Sequence, residues 1–333
     1  MSRILKPEPS HILGIDIGGT KLAVGVSTTD GKLIAHERIP TQSEEGPQRT
    51  LARLIEICQR VIKQANVKVN AAGIGCVGPL DQKTGYVINP VNLKGWRQVP
   101  LVETIKKGLG IPVFLDNDAN AAALGEHRFG AGRGVNNMVY LTISTGIGGG
   151  IIANNRLYQG ENGNAGELGH VSVNFAGRKC GCGNIGCIET YASGTALAVR
   201  AREQILSNPN RKDAQILLQL CNYNSDHITG QMIVEAVQKG DEFASEIWQE
   251  ALIALGMFMA SVIHIFNPRK IVIGGGISNA GDILFDPLRM EIRKHAIPAM
   301  ASVCEIVKAE LGDQVGVLGA VAVGMDGFAG QKA

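Results

Sequence analysis

The sequence predicts a mixed α/β protein of two similar lobes with a cleft between them. Short apolar strands alternate with segments of helical periodicity, which is the pattern of an α/β fold. A unit of strand, glycine-rich turn and returning strand occurs twice, near residues 12–26 and 138–153. Glycine supplies 43 of 333 residues, about 13% where about 7% is usual. This excess is expected where the chain makes many tight turns or approaches a ligand closely.

The first unit begins with a hairpin whose turn contains Gly18 and Gly19. Asp30 and Gly31 form a second turn, and apolar residues at helical spacing predict a helix over Pro47–Gln64. The predicted strands of this unit are Ile12–Asp16, Leu22–Val26, Lys32–Arg38 and Val67–Val77.

The second unit has a strand over Met138–Ile143, a glycine-rich turn over Ser144–Gly150 and a strand that returns from Ile151. Between the two units, an alanine-rich segment predicts a helix from Asn117 to Phe129. Asp118 is expected at or near the N-cap of this helix.

The C-terminal part contains the charge-free run Ala251–Phe266, which is shorter than the ~20 residues of a membrane span and predicts a buried helix. A strand over Lys270–Ile273 then ends in Gly274–Gly276. Small apolar residues over Val315–Val323 predict a final helix, and the polar stretch Asn208–His227 predicts a variable loop.

Composition and charge exclude several classes of protein. A hydrophobic share of 45% with 19% charged residues excludes a disordered chain. A net charge of +2 and 5% aromatic residues argue against a nucleic-acid-binding surface. The N-terminal segment MSRILKPEPSHI has no apolar region typical of a signal peptide. We therefore expect a cytoplasmic protein that binds neither nucleic acid nor membrane.

The two glycine turns are candidate phosphate-binding loops, because glycine lets backbone N–H groups converge on phosphate oxygens. Thr20 and Thr145 add hydroxyl donors, and Asp16 could hold Mg²⁺. One such turn alone would be read as an ordinary β-turn. Two of them, with a third glycine cluster at a strand end, favour nucleotide binding. The candidate residues are Asp16, Gly18, Gly19, Thr20, Lys21, Thr145, Gly146, Gly148, Gly274 and Gly275.

A histidine and three cysteines form the sharpest local pattern. His170 precedes Cys180, Cys182 and Cys187, and one histidine with three cysteines is a structural zinc set. Reduced core thiols or a disulfide are the alternatives, but the charged and polar neighbours of these cysteines are unlike a core run. The pattern predicts one Zn²⁺ per chain.

Three carboxylates are candidates for acid–base work or for hydrogen bonds to a substrate. Asp118 lies at a helix start, where the helix dipole favours its ionised form, although it could be a simple N-cap. Glu167 precedes His170 by three residues and Glu189 follows Cys187 by two. Taken singly, each glutamate could be a solvated surface residue. A metal at the cluster would fix the segment that carries both of them.

Together these segments resemble the sugar kinases of the ROK family (repressor, open reading frame, kinase). The resemblance covers Ile12 to about Gly324 and implies an actin-like, hexokinase-like ATPase fold of two duplicated RNase H-like domains. It also implies a small lobe of residues 1–116 plus about 317–333 and a large lobe of residues 117–316. The matching segments are DIGGTK (16–21), NDANAAALGE (117–126), STGIGGG (144–150), ELGH (167–170), CGCGNIGCIETYASG (180–194) and IVIGGG (271–276).

The resemblance implies a role for each candidate residue. Asp118 is the general base on the sugar hydroxyl, and the zinc ligands are His170, Cys180, Cys182 and Cys187. The glycine turns bind phosphate, and Gly274–Gly276 contacts adenosine. The implied sugar-binding residues are Gly78, Asn92, Asn117, Asp118, Glu167, His170 and Glu189.

The activity implied by the resemblance is phosphorylation of a hexose at its 6-hydroxyl with Mg²⁺ and ATP, and the leading expectation is glucose as the acceptor. N-acetylmannosamine, mannose and fructose stay open as acceptors, and polyphosphate stays open as the donor. A sugar-sensing regulator of the same family is a further alternative, although only about ten residues precede the first strand. The family also implies a homodimer or homotetramer.

Overall fold

The chain forms two five-stranded sheets with helices packed around them. A computed structural model describes residues 10–209 and 211–330. The strands are β1 (His11–Ile17), β2 (Lys21–Thr28), β3 (Leu33–Pro40), β4 (Ala71–Cys76), β5 (Leu80–Asp81), β6 (Tyr86–Val87), β7 (Val113–Asn117), β8 (Met138–Ile143), β9 (Ile147–Ala153), β10 (Arg156–Leu157), β11 (Lys270–Gly274) and β12 (Glu305–Lys308). The helices are α1 (Pro47–Ala65), α2 (Leu101–Leu109), α3 (Asp118–Phe129), α4 (Glu189–Ala192), α5 (Gly194–Ser207), α6 (Gln215–Leu220), α7 (Gly230–Gln238), α8 (Glu242–Phe266), α9 (Asp282–His295), α10 (Pro298–Ala301) and α11 (Val315–Gly330).

The two sheets have the same topology. The first has the order β3-β2-β1-β4-β7 and the second has the order β10-β9-β8-β11-β12. In each order, the first three strands pair antiparallel to one another. The last two strands are parallel to the third, which is β1 in the first sheet and β8 in the second. The predicted α/β class and the predicted repeat of one unit are therefore confirmed, and the repeat extends well beyond the two glycine turns.

Helices α3 and α11 lie between the two sheets. Small side chains of α3 and α11 pack with Tyr140 and Val272 of the second sheet, while α11 also covers β1 and β4 of the first. Close packing requires a glycine on β4, since a Cβ on Gly73 would lie 1.9 Å from the carbonyl oxygen of Ala320. Gly73 is thus explained by the close packing of a helix against a strand.

Two strands begin four residues away from the predicted positions. Strand β9 begins at Ile147 rather than Ile151, because Gly148–Gly150 pair with Thr142–Tyr140 of β8. The second turn is therefore only Ser144–Gly146, and Gly148 lies within a strand. Strand β4 begins at Ala71 rather than Val67, since a turn follows α1.

The polar stretch Asn208–His227 is not the predicted loop. It contains helix α6 and a short 3-10 turn, Ser225–His227. Burial of Leu217 and the cap that Asp241 gives to the N–H groups of Ile216 and Leu217 account for this helix. Tertiary contacts outweigh the polar composition here.

The long apolar helix α8 is a core helix, as predicted. It is the one described helix long and apolar enough to cross a membrane by length and composition, with a mean hydropathy of 1.6. Its buried face, which includes Phe243, Trp248 and Phe258, packs into the large core around the second sheet. The final helix α11 is also confirmed and extends to Gly330.

Parts of some predictions lie outside the described residues. Residues 1–9, which include most of the N-terminal segment, and residues 331–333 belong to the predicted small lobe. Asn210 belongs to the predicted loop.

Candidate active site

Asp118 is the first residue of α3, and Asn117 is its N-cap. The Asn117 side chain accepts hydrogen bonds from the N–H groups of Ala119 at 2.8 Å and Asn120 at 3.4 Å. Asp118 therefore lies next to the N-cap, as predicted, and the alternative that it serves only as the N-cap is wrong. One of its oxygens accepts the N–H of Ala119 at 2.9 Å. The carboxylate thus lies at the positive end of the helix.

The pKa values of Asp118 and Asp16 are each raised by burial and by the charge of another acidic side chain. Burial raises the pKa of Asp118, the N–H of Ala119 opposes this, and the charge of Glu167 raises the pKa further. Burial also raises the pKa of Asp16 to about 6, with Lys21 lowering it and Asp118 raising it. A base with a raised pKa is a better proton acceptor near neutral pH. The sequence places these residues far apart, and the fold brings them together.

The Asp16→Asn substitution is expected to stabilise the metal-free protein near neutral pH. The folded-state pKa of Asp16 lies above the value of 3.8 for a free aspartate. Its ionised form therefore opposes folding, and stability is lost as pH rises from about 4 through about 6. We expect asparagine to restore on the order of 2 kcal/mol at pH 8 and little at pH 4.

Urea unfolding at both pH values, without divalent cations, measures this effect. The exposed Glu44 of the same lobe provides the charge-matched control, Glu44→Gln. Equal effects of Asp16→Asn at pH 4 and pH 8 would contradict the explanation.

The first glycine turn, between β1 and β2, is held by Thr41. The N–H of Gly18 donates to the carbonyl of Lys21 at 3.0 Å. The Thr41 hydroxyl donates to the Gly18 carbonyl at 2.7 Å. The backbone N–H of Thr41 donates to the Thr20 carbonyl at 3.0 Å. Thr41 was missed by sequence reasoning, since it follows β3 and no motif marks it. The Thr20 side chain is exposed in this turn.

The second glycine turn, Ser144–Gly146, is held by the segment that follows the cysteine cluster. A carboxylate oxygen of Glu189 accepts the N–H of Ile147 at 2.8 Å. The N–H of Gly194 donates to the Ser144 carbonyl at 2.7 Å. Glu189 is therefore not a free surface residue. It connects the cysteine segment to the turn that contains the exposed Thr145.

A cavity of about 820 Å³ opens beside this turn. That volume lies within the range of about 300–1,000 Å³ that is usual for small-molecule sites. Helices α5 and α7 both begin at its wall, where their N–H groups favour anions. Its lining includes Ser144, Thr145, Gly194, Thr195, Thr229, Gly230 and Gly276. Thr195, Thr229 and the glycines at 194 and 230 were missed, although Ser-Gly and Thr-Gly at two helix starts are a readable signal.

The third glycine cluster lies against the same turn. Gly275 has a φ of 82°, in the left-handed region. A Cβ there would lie 2.4 Å from the carbonyl oxygen of Ile143, the last residue of β8. Gly274 is buried beside Tyr140, while Gly276 lines the cavity. The structure thus brings the second turn and the third cluster together.

The remaining predicted sugar residues lie near the start of α3 or the first turn. Gly78 lies beside the Asn117 side chain, and Asn92 is an exposed residue that packs on Gly19. Glu167 is exposed and precedes the 3-10 turn Leu168–His170, in which the N–H of His170 donates to the Glu167 carbonyl at 3.1 Å.

The predicted metal ligands converge on one point. The ligand atoms of His170, Cys180, Cys182 and Cys187 all lie within 4.8 Å of one another. Cys180 Sγ is 3.6 Å from His170 Nδ1, and Cys182 Sγ is 3.7 Å from Cys187 Sγ. This cluster could hold a metal ion. The other cysteines are free thiols, of which Cys58, Cys76 and Cys221 are buried and Cys304 is partly exposed.

Comparison with known proteins decides the family. The family model described as ROK matches residues 12–326. The chain belongs to the ROK family. It is 37% identical over 312 residues to the glucokinase of Thermotoga maritima, which covers 94% of this chain and 96% of that protein.

Both kinases and regulators of the ROK family resemble this chain. A solved ROK glucokinase from Streptomyces griseus, in complex with glucose and AMPPNP, has a TM-score of 0.80 and 35% identity, with 95% of this chain and 99% of that chain covered. The xylose repressor of Caldicellulosiruptor bescii is 33% identical, over 94% of this chain and 77% of the repressor. The two-lobed ATPase fold predicted from the sequence is thereby confirmed.

Proposed function

We propose that this ROK-family protein is an ATP-dependent glucokinase, which converts D-glucose and ATP into glucose 6-phosphate and ADP. The observation that carries the proposal is the partly buried Asp118 carboxylate at the start of α3. Its pKa is raised by burial and by the charge of Glu167, and its own charge raises the pKa of Asp16. The glucokinase from Thermotoga maritima and the glucose complex from Streptomyces griseus support glucose as the acceptor.

In this proposal Asp118 accepts the proton of the sugar 6-hydroxyl as that oxygen attacks the terminal phosphoryl group of ATP. Phosphoryl transfer requires mainly positioning and charge neutralisation from a protein. A sugar has several hydroxyls of similar acidity, so acceptors at fixed positions must select one of them. The proposed sugar contacts are Gly78, Asn92, Asn117, Asp118, Glu167, His170 and Glu189.

The nucleotide is proposed to lie along the two glycine turns and in the cavity beside the second turn. Thr20, Lys21 and Thr145 supply hydrogen-bond donors for the phosphates. Gly274 and Gly275 are the proposed contacts of the adenosine. Asp16 is the proposed partner of the Mg²⁺ that accompanies ATP. A divalent cation fits this position, because it would favour the ionised form of a carboxylate whose pKa is raised by burial and by Asp118. Bound Mg²⁺ would neutralise phosphate charge.

We assign a structural Zn²⁺, one per chain, to His170, Cys180, Cys182 and Cys187. A tetrahedral zinc site with Zn–S of about 2.3 Å and Zn–N of about 2.0 Å has ligand–ligand separations of about 3.5–3.8 Å. The observed 3.6 and 3.7 Å fit this donor set. Because His170 Nδ1 faces the cluster, its other nitrogen is left for the sugar. One residue can thus serve both of its predicted roles.

The larger organisation is also a proposal. We assign residues 1–116 with 317–333 to the small lobe and residues 117–316 to the large one. We propose a homodimer or homotetramer, supported by exposed apolar side chains on α8 and α9 such as Ile253, Met257 and Met290. A cytoplasmic location suits both the use of ATP and three free thiols in one metal site.

The first test is ADP release with Mg²⁺-ATP and a panel of glucose, mannose, fructose, N-acetylglucosamine and N-acetylmannosamine. We expect glucose to have the highest kcat/KM. A higher value for another hexose would reassign the substrate, while activity with polyphosphate in place of ATP would reassign the donor.

The resemblance to the xylose repressor makes a sugar-sensing regulator the second candidate. Glucose binding without turnover of any sugar in the panel, together with salt-dependent binding to duplex DNA, would favour it.

A further inference from the structure

A buried carboxylate that the proposed mechanism does not use lies two residues before Asp118. Asp116 is the penultimate residue of β7 and is 3% exposed. Its Oδ1 accepts hydrogen bonds from the backbone N–H of Asn117 and from Gln82 Nε2, each at 2.8 Å. The same oxygen accepts Asn120 Nδ2 at 2.9 Å. The carboxylate thus holds both the N-cap and the first turn of α3.

The second oxygen of Asp116 connects to the other lobe. Oδ2 accepts a hydrogen bond from Gln159 Nε2 at 2.7 Å. Gln159 lies two residues after Leu157, the last residue of β10 in the second sheet. Gln82 belongs instead to the turn between β5 and β6. Gln82 Nε2 also donates to the carbonyl of Gly163 at 3.0 Å. Both glutamines therefore tie the segment 159–163 to Asp116.

This segment leads directly to Glu167. It folds back on itself, since the N–H of Ala165 donates to the Gln159 carbonyl at 3.2 Å. Gly166 then packs against Asn120 of α3. The position of Glu167 relative to the start of α3 therefore depends on the same network.

The donors that the described residues provide to Asp116 are all amides. Burial raises the pKa of Asp116, while hydrogen bonds from Asn120, Asn117 and Gln159 lower it. A buried carboxylate without a cation is costly unless several donors satisfy it. Such an arrangement is suited to fixing the relative position of the segments that supply the donors.

We propose that Asp116 is a positioning residue for sugar phosphorylation. Through its hydrogen bonds, Asp116 connects segment 159–167 of one lobe and the β5–β6 turn of the other lobe to the start of α3, where Asp118 lies. The inference rests on the roles proposed above for Asp118 and Glu167. Asp116 touches neither substrate nor nucleotide and acts through these two residues.

Steady-state kinetics of Gln159→Leu and Gln82→Leu test the network. For Gln159→Leu we expect the glucose KM to rise by about tenfold, because the variant loses one hydrogen bond to a charged group. The ATP KM should stay within about twofold of the wild-type value. Gln82→Leu is expected to act in the same direction. The matched control is Gln59→Leu, because Gln59 is exposed and, among the described residues, its side chain donates to the Gly108 carbonyl alone.

A double-mutant cycle shows whether the effect passes through Asp116. Asp116→Asn keeps the size of the side chain, and in that background Gln159→Leu should raise the glucose KM by less than about twofold. Calorimetric binding of glucose without ATP, and thermal unfolding, check that each variant is folded and that KM reports affinity.

Two outcomes would overturn the inference. One is an unchanged glucose KM in Gln159→Leu; the other is an equal rise of the glucose and ATP KM values, which would indicate general destabilisation. If the wild-type protein does not phosphorylate glucose, the proposed function is overturned instead. The same double-mutant cycle, measured by calorimetric glucose binding, would then still test the Asp116 network.

Discussion

Replacing Asp118 with asparagine is expected to lower kcat by at least about 100-fold, the usual contribution of a general base. Asparagine has nearly the same shape but cannot accept the proton of the sugar hydroxyl. Its amide oxygen can still accept the N–H of Ala119, so the start of α3 should be preserved. Glucose binding should change little, because the substitution keeps a polar group at the same place.

The measurements are kcat by ADP release, glucose affinity by calorimetry, and metal content. The matched control is Asp282→Asn, since Asp282 is an exposed aspartate in the first turn of α9 and lies outside the proposed site. An unchanged kcat in Asp118→Asn would remove Asp118 from the mechanism. A lost kcat accompanied by lower thermal stability would assign it a structural role.

Replacing Cys182 with alanine is expected to remove zinc and to weaken glucose binding in the same protein. The cluster closes the segment from His170 to Cys187, and Glu167 and Glu189 lie just outside its ends. Structural zinc contributes directly to folding free energy, so the melting temperature should fall. We expect the glucose KM to rise by about tenfold or more as the hydrogen-bonding groups lose their fixed positions.

A smaller rise in the ATP KM is expected as well, because Glu189 holds the N–H of Ile147 beside the second glycine turn. Zinc content should fall from close to one ion per chain in the wild type. Cys304→Ala is the control, since Cys304 is a partly exposed thiol outside the cluster. A zinc-free variant with wild-type glucose affinity would show that the metal does not organise the site.

Local sequence patterns predicted most of the fold. The hairpins around Gly18 and Gly146, helix α1 and the core helix α8 follow from turn residues and apolar periodicity, which act over a few neighbouring residues. The same reasoning was wrong for Asn208–His227, where the buried Leu217 and the cap from Asp241 stabilise a helix in a polar stretch. Local composition carries no information about such distant partners.

The candidate site divides in the same way. The convergence of His170 with the three cysteines was predictable, because the four ligands lie within 18 positions of one another in the sequence, from 170 to 187. Thr41 and the Asp116 network were not, because their hydrogen-bond partners come from segments far apart in the chain.

By itself, the sequence determined the α/β class, the repeated unit and the identity of the chemical groups, since these depend on residue type and short spacing. Only the tertiary structure decided which groups meet. In the folded chain, burial and the charge of Glu167 raise the pKa of Asp118, and burial and the charge of Asp118 raise the pKa of Asp16. Burial and electrostatic coupling are properties of the folded chain, because they depend on distances that exist only after the two lobes have formed.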